Sequence, residues 1–171
     1  MEPDSYQPGN IIYPDKYSLK TTDGVTTAII AGHPTQKGYK DANVENARFE
    51  YITGFIELTR KIVIVVDQHN QCLRRIHRDT GRTTTFSGVC TSSGYQDGEH
   101  AKFFYPRNIF GDNQNGGQLL VTDWFNLAIR YVAISDGSVG TLIKSSTIRY
   151  PQCLTQNKAG DILVPTWSAV Y

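Results

Sequence analysis

The chain has 171 residues, of which 39% are hydrophobic and 19% charged, and a formal net charge of +1. Such a length can bury a real core in one or two domains, and a near-neutral total announces neither a nucleic acid nor an anionic membrane as partner. The longest apolar run, Ile62 to Val66, is strand-sized and far short of the ~18 residues of a membrane span, so no membrane insertion is expected.

The first ten residues, MEPDSYQPGN, lack the basic-then-apolar order of a secretory leader, which leaves an extracellular fragment and a cytosolic protein both open. Tyr, Thr, Val and Ile recur in short runs punctuated by Gly, Asn and Asp, and no window longer than a turn or two follows the helical period. Residues 1–33 are expected to supply the last two strands of a β-module, with Thr22-Asp23-Gly24 as their turn. A glycine-rich loop follows, GYKDANVENARF from Gly38 to Phe49. Strands are then predicted near Ile52–Leu58, Lys61–Asp67, Gln71–Arg78 and Arg82–Ser87.

At Gly94 the chain writes the loop again, GYQDGEHAKFF, ending at Phe104. A second set of strands is predicted near Arg107–Asp112, Gln118–Asp123, Leu127–Ile134 and Ser138–Ile143. In this register Asp67 matches Asp123, Asn70 matches Asn126, Arg74 matches Arg130 and Gly32 matches Gly88. The turns DNQNGG (Asp112 to Gly117) and ISDGS (Ile134 to Ser138) supply the positive-φ residues that hairpins need. A third copy opens at Tyr150-Pro151. There GDILV (Gly160 to Val164) resembles a second strand, and Trp167 stands where Trp124 stands before. Four short antiparallel strands in a repeat of roughly fifty residues are the signature of β-propeller blades. The expected division is therefore 1–33, 34–88, 89–144 and 145–171, all in one all-β propeller domain.

The order Gly94-Tyr95-Gln96-Asp97-Gly98, Ala101, Phe103, Tyr105-Pro106, Val121-Thr122-Asp123, Asn126 and Ile129-Arg130 resembles the NHL repeat. The upstream copy keeps Gly38-Tyr39, Asp41, Ala47, Phe49, Val66-Asp67, Asn70 and Leu73-Arg74, and departs at Ile52, where the proline is expected. The Asn-His-Leu tripeptide that names the repeat reads Asn70-Gln71-Cys72 and Asn126-Leu127-Ala128. The resemblance spans roughly residues 22 to 167 and implies a propeller built of four-stranded blades. About three blades are present, fewer than the family's usual ring. A fragment of a longer protein, self-association, or a partner supplying the missing half would each complete it.

Function is less determined than fold. The family includes protein-binding, RNA-binding and adhesion members, and its fold lies near that of metal-dependent lyases. Asp67, Asn70, Arg74, Asp123, Asn126 and Arg130 recur at matching places and read as blade architecture, with the Asp and Arg of adjacent strands able to pair. Tyr95, Trp124 and Phe125 are the candidate partner contacts, because an aromatic pair in a turn suits protein recognition. His33, His69, His77 and His100 are too scattered for an obvious Zn²⁺ site, and the acidic loop lacks the DxDxDG of a Ca²⁺ loop. Arg74-Arg75-Ile76-His77-Arg78 is the one basic run that would suit RNA. No nucleophile elbow and no HExxH occurs. Cys72, Cys90 and Cys153 contain no CxxC pair and allow one disulfide with a free thiol or three reduced thiols. The expected function is thus a non-enzymatic scaffold that binds a protein through its inter-strand loops. A metal-dependent propeller enzyme and a single-stranded RNA module are the alternatives.

Overall fold

Residues 10–111 and 117–166 are described by the computed structural model, in which the short β-branched runs become strands and the glycine-bearing segments become turns. In chain order these are β1 (Ile11–Asp15), β2 (Ser18–Thr22), β3 (Thr27–Gly32), β4 (Ala42–Asn43), β5 (Ile52–Thr59), β6 (Ile62–Asp67) and β7 (Cys72–His77). There follow β8 (Arg82–Ser87), β9 (Pro106–Gly111), β10 (Gln118–Asp123), β11 (Ala128–Ala133), β12 (Val139–Lys144), β13 (Thr155–Gln156) and β14 (Ile162–Leu163). Each predicted strand of the two complete modules is present within a residue or two of its expected bounds. The DNQNGG turn up to residue 116 and Trp167 lie outside the described residues.

Neighbours in sequence pair antiparallel. One sheet runs β4-β8-β7-β6-β5, the next β12-β11-β10-β9, and the last described pair is β13-β14. At the N-terminal end the sheet has three strands, β1-β2-β3, where the sequence suggested two. The additional strand holds Pro14, opposite Leu19. Proline removes a ladder donor and is tolerated in an edge strand, and β1 pairs on one side only.

The core lies between successive sheets, and one strand explains why. Val63 and Val65 of β6 pack with Leu19, Ile30, Ala31, Phe49 and Ile76, toward the N-terminal sheet. Ile64 and Val66, on its other face, pack with Phe103, Ile109, Leu119, Val121 and Val132 of the next module. A strand covered on both faces reads as a continuous apolar run, which is why IVIVV shows no alternation. A third cluster, Leu120, Ile129 and Leu154, continues the pattern toward β13 and β14.

Each glycine-rich loop seals one of these gaps. Phe49 and Phe103 are fully buried, and each needs a glycine beneath it. Gly32 (φ +94°) and Gly88 (φ +89°) occupy the left-handed region, and a Cβ on them would lie 2.8 Å from Phe49 and 2.9 Å from Phe103. The matching Gly32 and Gly88 of the repeat thus serve a close approach between backbone and ring.

Candidate functional site

Antiparallel order brings the start of each module's first strand, the turn after its second strand and the end of its fourth to one end of the sheets. That end gathers the repeated polar residues. Asp67 and Arg74 are both fully buried. The Asp67 carboxylate accepts from the Glu50 amide (2.9 Å), Asn70 Nδ2 (2.8 Å) and Arg74 Nη1 (3.0 Å). Asn70 also donates to Gly38 O, and Arg74 to the carbonyls of Arg48 and Lys40 and to Asp41. The second corner repeats this bond for bond. Asp123 accepts from the Phe104 amide (2.8 Å), Asn126 (2.8 Å) and Arg130 (2.7 Å). Asn126 also donates to Gly94 O, and Arg130 to the carbonyls of Lys102 and Gln96 and to Asp97.

Each corner therefore fastens the long loop to the module that follows it. The guanidinium of Arg74 lies over the rings of Tyr39 and Phe49, and that of Arg130 over Tyr95 and Phe103. Tyr39 and Tyr95 spend their hydroxyls on Thr85 and Thr141. Tyr95 consequently belongs to the corner and stands apart in role from Trp124 and Phe125. The loop carboxylates Asp41 and Asp97 are engaged by arginine. Burial pushes the Asp67 carboxyl up to about 6 against the pull of Asn70, the Glu50 amide and Arg74, and raises Asp123 in the same direction.

Beside the corners runs a row of rings. Tyr51 stacks on His69 (5.3 Å between centroids), His69 meets Tyr105 (5.4 Å), and Tyr105 meets Phe125 (5.1 Å). Phe125 stacks on Trp124 (4.6 Å), and Trp124 meets Tyr150 (5.6 Å). Phe104 packs against both Tyr105 and Phe125. The row thus crosses three consecutive modules, and Tyr51, Phe104, Phe125 and Tyr150 are all exposed large apolar side chains within it. Tyr51, Tyr105 and Tyr150 each stand immediately before a first strand or its equivalent, and all three have positive φ (136°, 54° and 48°). Such geometry is uncommon for a bulky residue. Sequence reasoning singled out Trp124 and Phe125, and considered His69 only as a metal ligand, but missed the three tyrosines as members of the row. The available signal was a tyrosine at the same place in every copy.

Next to the row opens a cavity of about 500 Å³, lined by Lys16, Tyr51, Thr53, Gln68, Arg107 and Gln152 among others. It draws on the β1–β2 turn and on the first strands of the modules that follow. Arg107 reaches across the Trp124 ring, 5.0 Å from its centroid, so cavity and aromatic row are contiguous.

The remaining sequence candidates are dispersed. His33 accepts the amides of Thr35 and Gln36 in a turn, and among the described residues no three His, Cys, Asp or Glu side chains converge as metal ligands. Strand alternation splits the basic run: Arg74 is buried in its corner, Arg75 lies over Phe86, and Arg78 pairs with Glu57. Cys72 and Cys90 form a disulfide, and Cys153 is free and exposed.

No protein-family model and no curated protein sequence matches the chain. Solved structures do. An auxiliary nutrient binding protein from Bacteroides ovatus superposes with a TM-score of 0.64 at 16% identity, over 92% of this chain and 43% of that one. A chain of a nidogen/laminin complex gives 0.64 at 12%, over 92% and 53%, and a streptogramin B lyase gives 0.62 at 12%, over 91% and 44%. The fold is β-propeller-like. At these identities the likeness concerns architecture alone, and the chain spans about half or less of each of these propeller-like proteins.

Proposed function

We propose that the chain is part of an NHL-type β-propeller that acts as a non-enzymatic binding scaffold, and that a protein partner docks on the face carrying the aromatic row. In this reading residues 34–88 and 89–144 are complete blades, with parts of neighbouring blades at either end. Further blades, from the same protein or from a second copy, complete the ring. The observation that carries the proposal is the unbroken contact from Tyr51 through His69, Tyr105, Phe125 and Trp124 to Tyr150. Exposed aromatics held in place by their neighbours offer large contact area at low entropic cost, the composition typical of interface hot spots. The loop residues that the sequence singled out divide accordingly, with Trp124 and Phe125 at the contact and Tyr95 holding Arg130.

A photo-crosslinking residue at position 125, in the intact protein within its native extract, tests this against one at position 136, in the turn between β11 and β12 at the opposite end of the sheet. The expected result is a single protein adduct from position 125 that position 136 does not give. Identical adducts from both positions, or nucleic-acid adducts from 125, would overturn it.

A further inference from the structure

The cavity beside the aromatic row is polar where ligand pockets are mostly apolar. Gln68 is only 5% exposed, and its Nε2 has no hydrogen-bond partner. Thr53 Oγ1, also on the cavity wall, is buried and unpartnered. The Gln68 amide donates to Tyr51 O at 3.0 Å, and the residue lines the cavity wall. Buried polar groups nearly always find partners, and each one left alone is costly. Two at one cavity mark a place where a ligand supplies the missing bonds.

The charges indicate which ligand. Lys16 and Arg107 line the same cavity, and the carboxylate there, Asp15, is already paired with Lys20. Arg107 lies over the Trp124 ring, a contact that engages the face of the guanidinium rather than its N–H donors. Asn108 accepts the Leu154 amide through Oδ1, which orients its Nδ2 as a further donor. The wall therefore offers two cations and several neutral donors against one neutralised anion. We propose that this cavity binds a small molecule bearing an oxyanion, a carboxylate or a phosphate ester, on a compact polar body. The volume, about 500 Å³, suits a metabolite-sized ligand. This inference does not rest on the protein-docking reading, since either site can exist without the other.

Calorimetric titration of the intact protein at constant ionic strength provides the test, using citrate and other small carboxylates, glycerol phosphate, inorganic phosphate, and glucose as the neutral control. The expected result is saturable one-to-one binding of at least one oxyanion and none of glucose. The carboxylate and phosphate arms then tell which headgroup the site takes. Gln68→Glu, which keeps the shape and adds a negative charge, should weaken binding at least ten-fold, as should Arg107→Gln. Lys16→Asn, at an exposed turn whose φ of 48° asparagine accepts, keeps the test decisive if either of the others fails to fold. No saturable binding of any anion, equal binding of glucose, or affinity unchanged in the folded variants would overturn the proposal.

Discussion

The Asp67 corner and the Asp123 corner make the same hydrogen bonds, yet the residues that their turns present are opposite in kind. Where the first corner places Gln68 and His69, the second places Trp124 and Phe125, and where the first has Glu50 before its tyrosine, the second has Phe104. The buried bonds use Asp, Asn and Arg because those groups can satisfy loop carbonyls and amides inside a dry junction. None of those hydrogen bonds uses the side chains of the turn pair. A repeated frame thus carries unrepeated turn residues, and under the proposed docking reading the turn pair is where the two modules differ.

The largest expected effect is a symmetric one. Arg74→Met and Arg130→Met each leave a fully buried aspartate without its counter-charge, and each should cost about 3–5 kcal/mol in urea unfolding. Equal losses support equivalent corners, whereas a large loss at one and none at the other would break the comparison.

An asymmetry should come next. Cys72, at the start of β7, is bonded to Cys90, while its counterpart at the second corner is Ala128. Reduction should lower stability by about 3 kcal/mol, in keeping with a closed loop of this length. Thiol titration of the native, unreduced protein should find only Cys153 reactive. A bond of this kind persists in oxidising compartments, which bears on the compartment that the first ten residues leave open.

The third effect depends on pH. Because burial raises the Asp67 carboxyl to about 6 from an ordinary value near 4, this group's contribution to stability is full below about 4 and is lost as pH rises through about 6. The stability of the wild type relative to Asp67→Asn should therefore fall by on the order of 2–3 kcal/mol between pH 4 and pH 7. A difference that grows toward pH 7 would mean that attraction to Arg74 outweighs burial.

Much of this frame was legible in the chain itself. Strand bounds followed from turn glycines and β-branched runs, and the matching of Asp67 with Asp123 foretold two like corners. Other features were hidden for identifiable reasons. Strand β1 was obscured by Pro14, which only an edge position tolerates. The disulfide left no trace in spacing, since residues 72 and 90 meet only once the loop turns back over β7. The aromatic row joins tyrosines from three modules with turn residues from two, so it has no linear motif. The cavity is less legible still, because Lys16, Gln68, Arg107 and Gln152 come from four separate segments.

Exchanging the turn pair alone tests the division between repeated frame and unrepeated turn most directly. In the double variant Trp124→Gln/Phe125→His, the unfolding free energy and the adduct formed by a photo-crosslinking residue at position 150 are measured together. The account predicts a loss of stability clearly smaller than that of Arg130→Met, since Trp124 is half-buried and Phe125 exposed, and loss of the partner adduct. An undiminished adduct, or a collapse in stability as large as that of Arg130→Met, would contradict it.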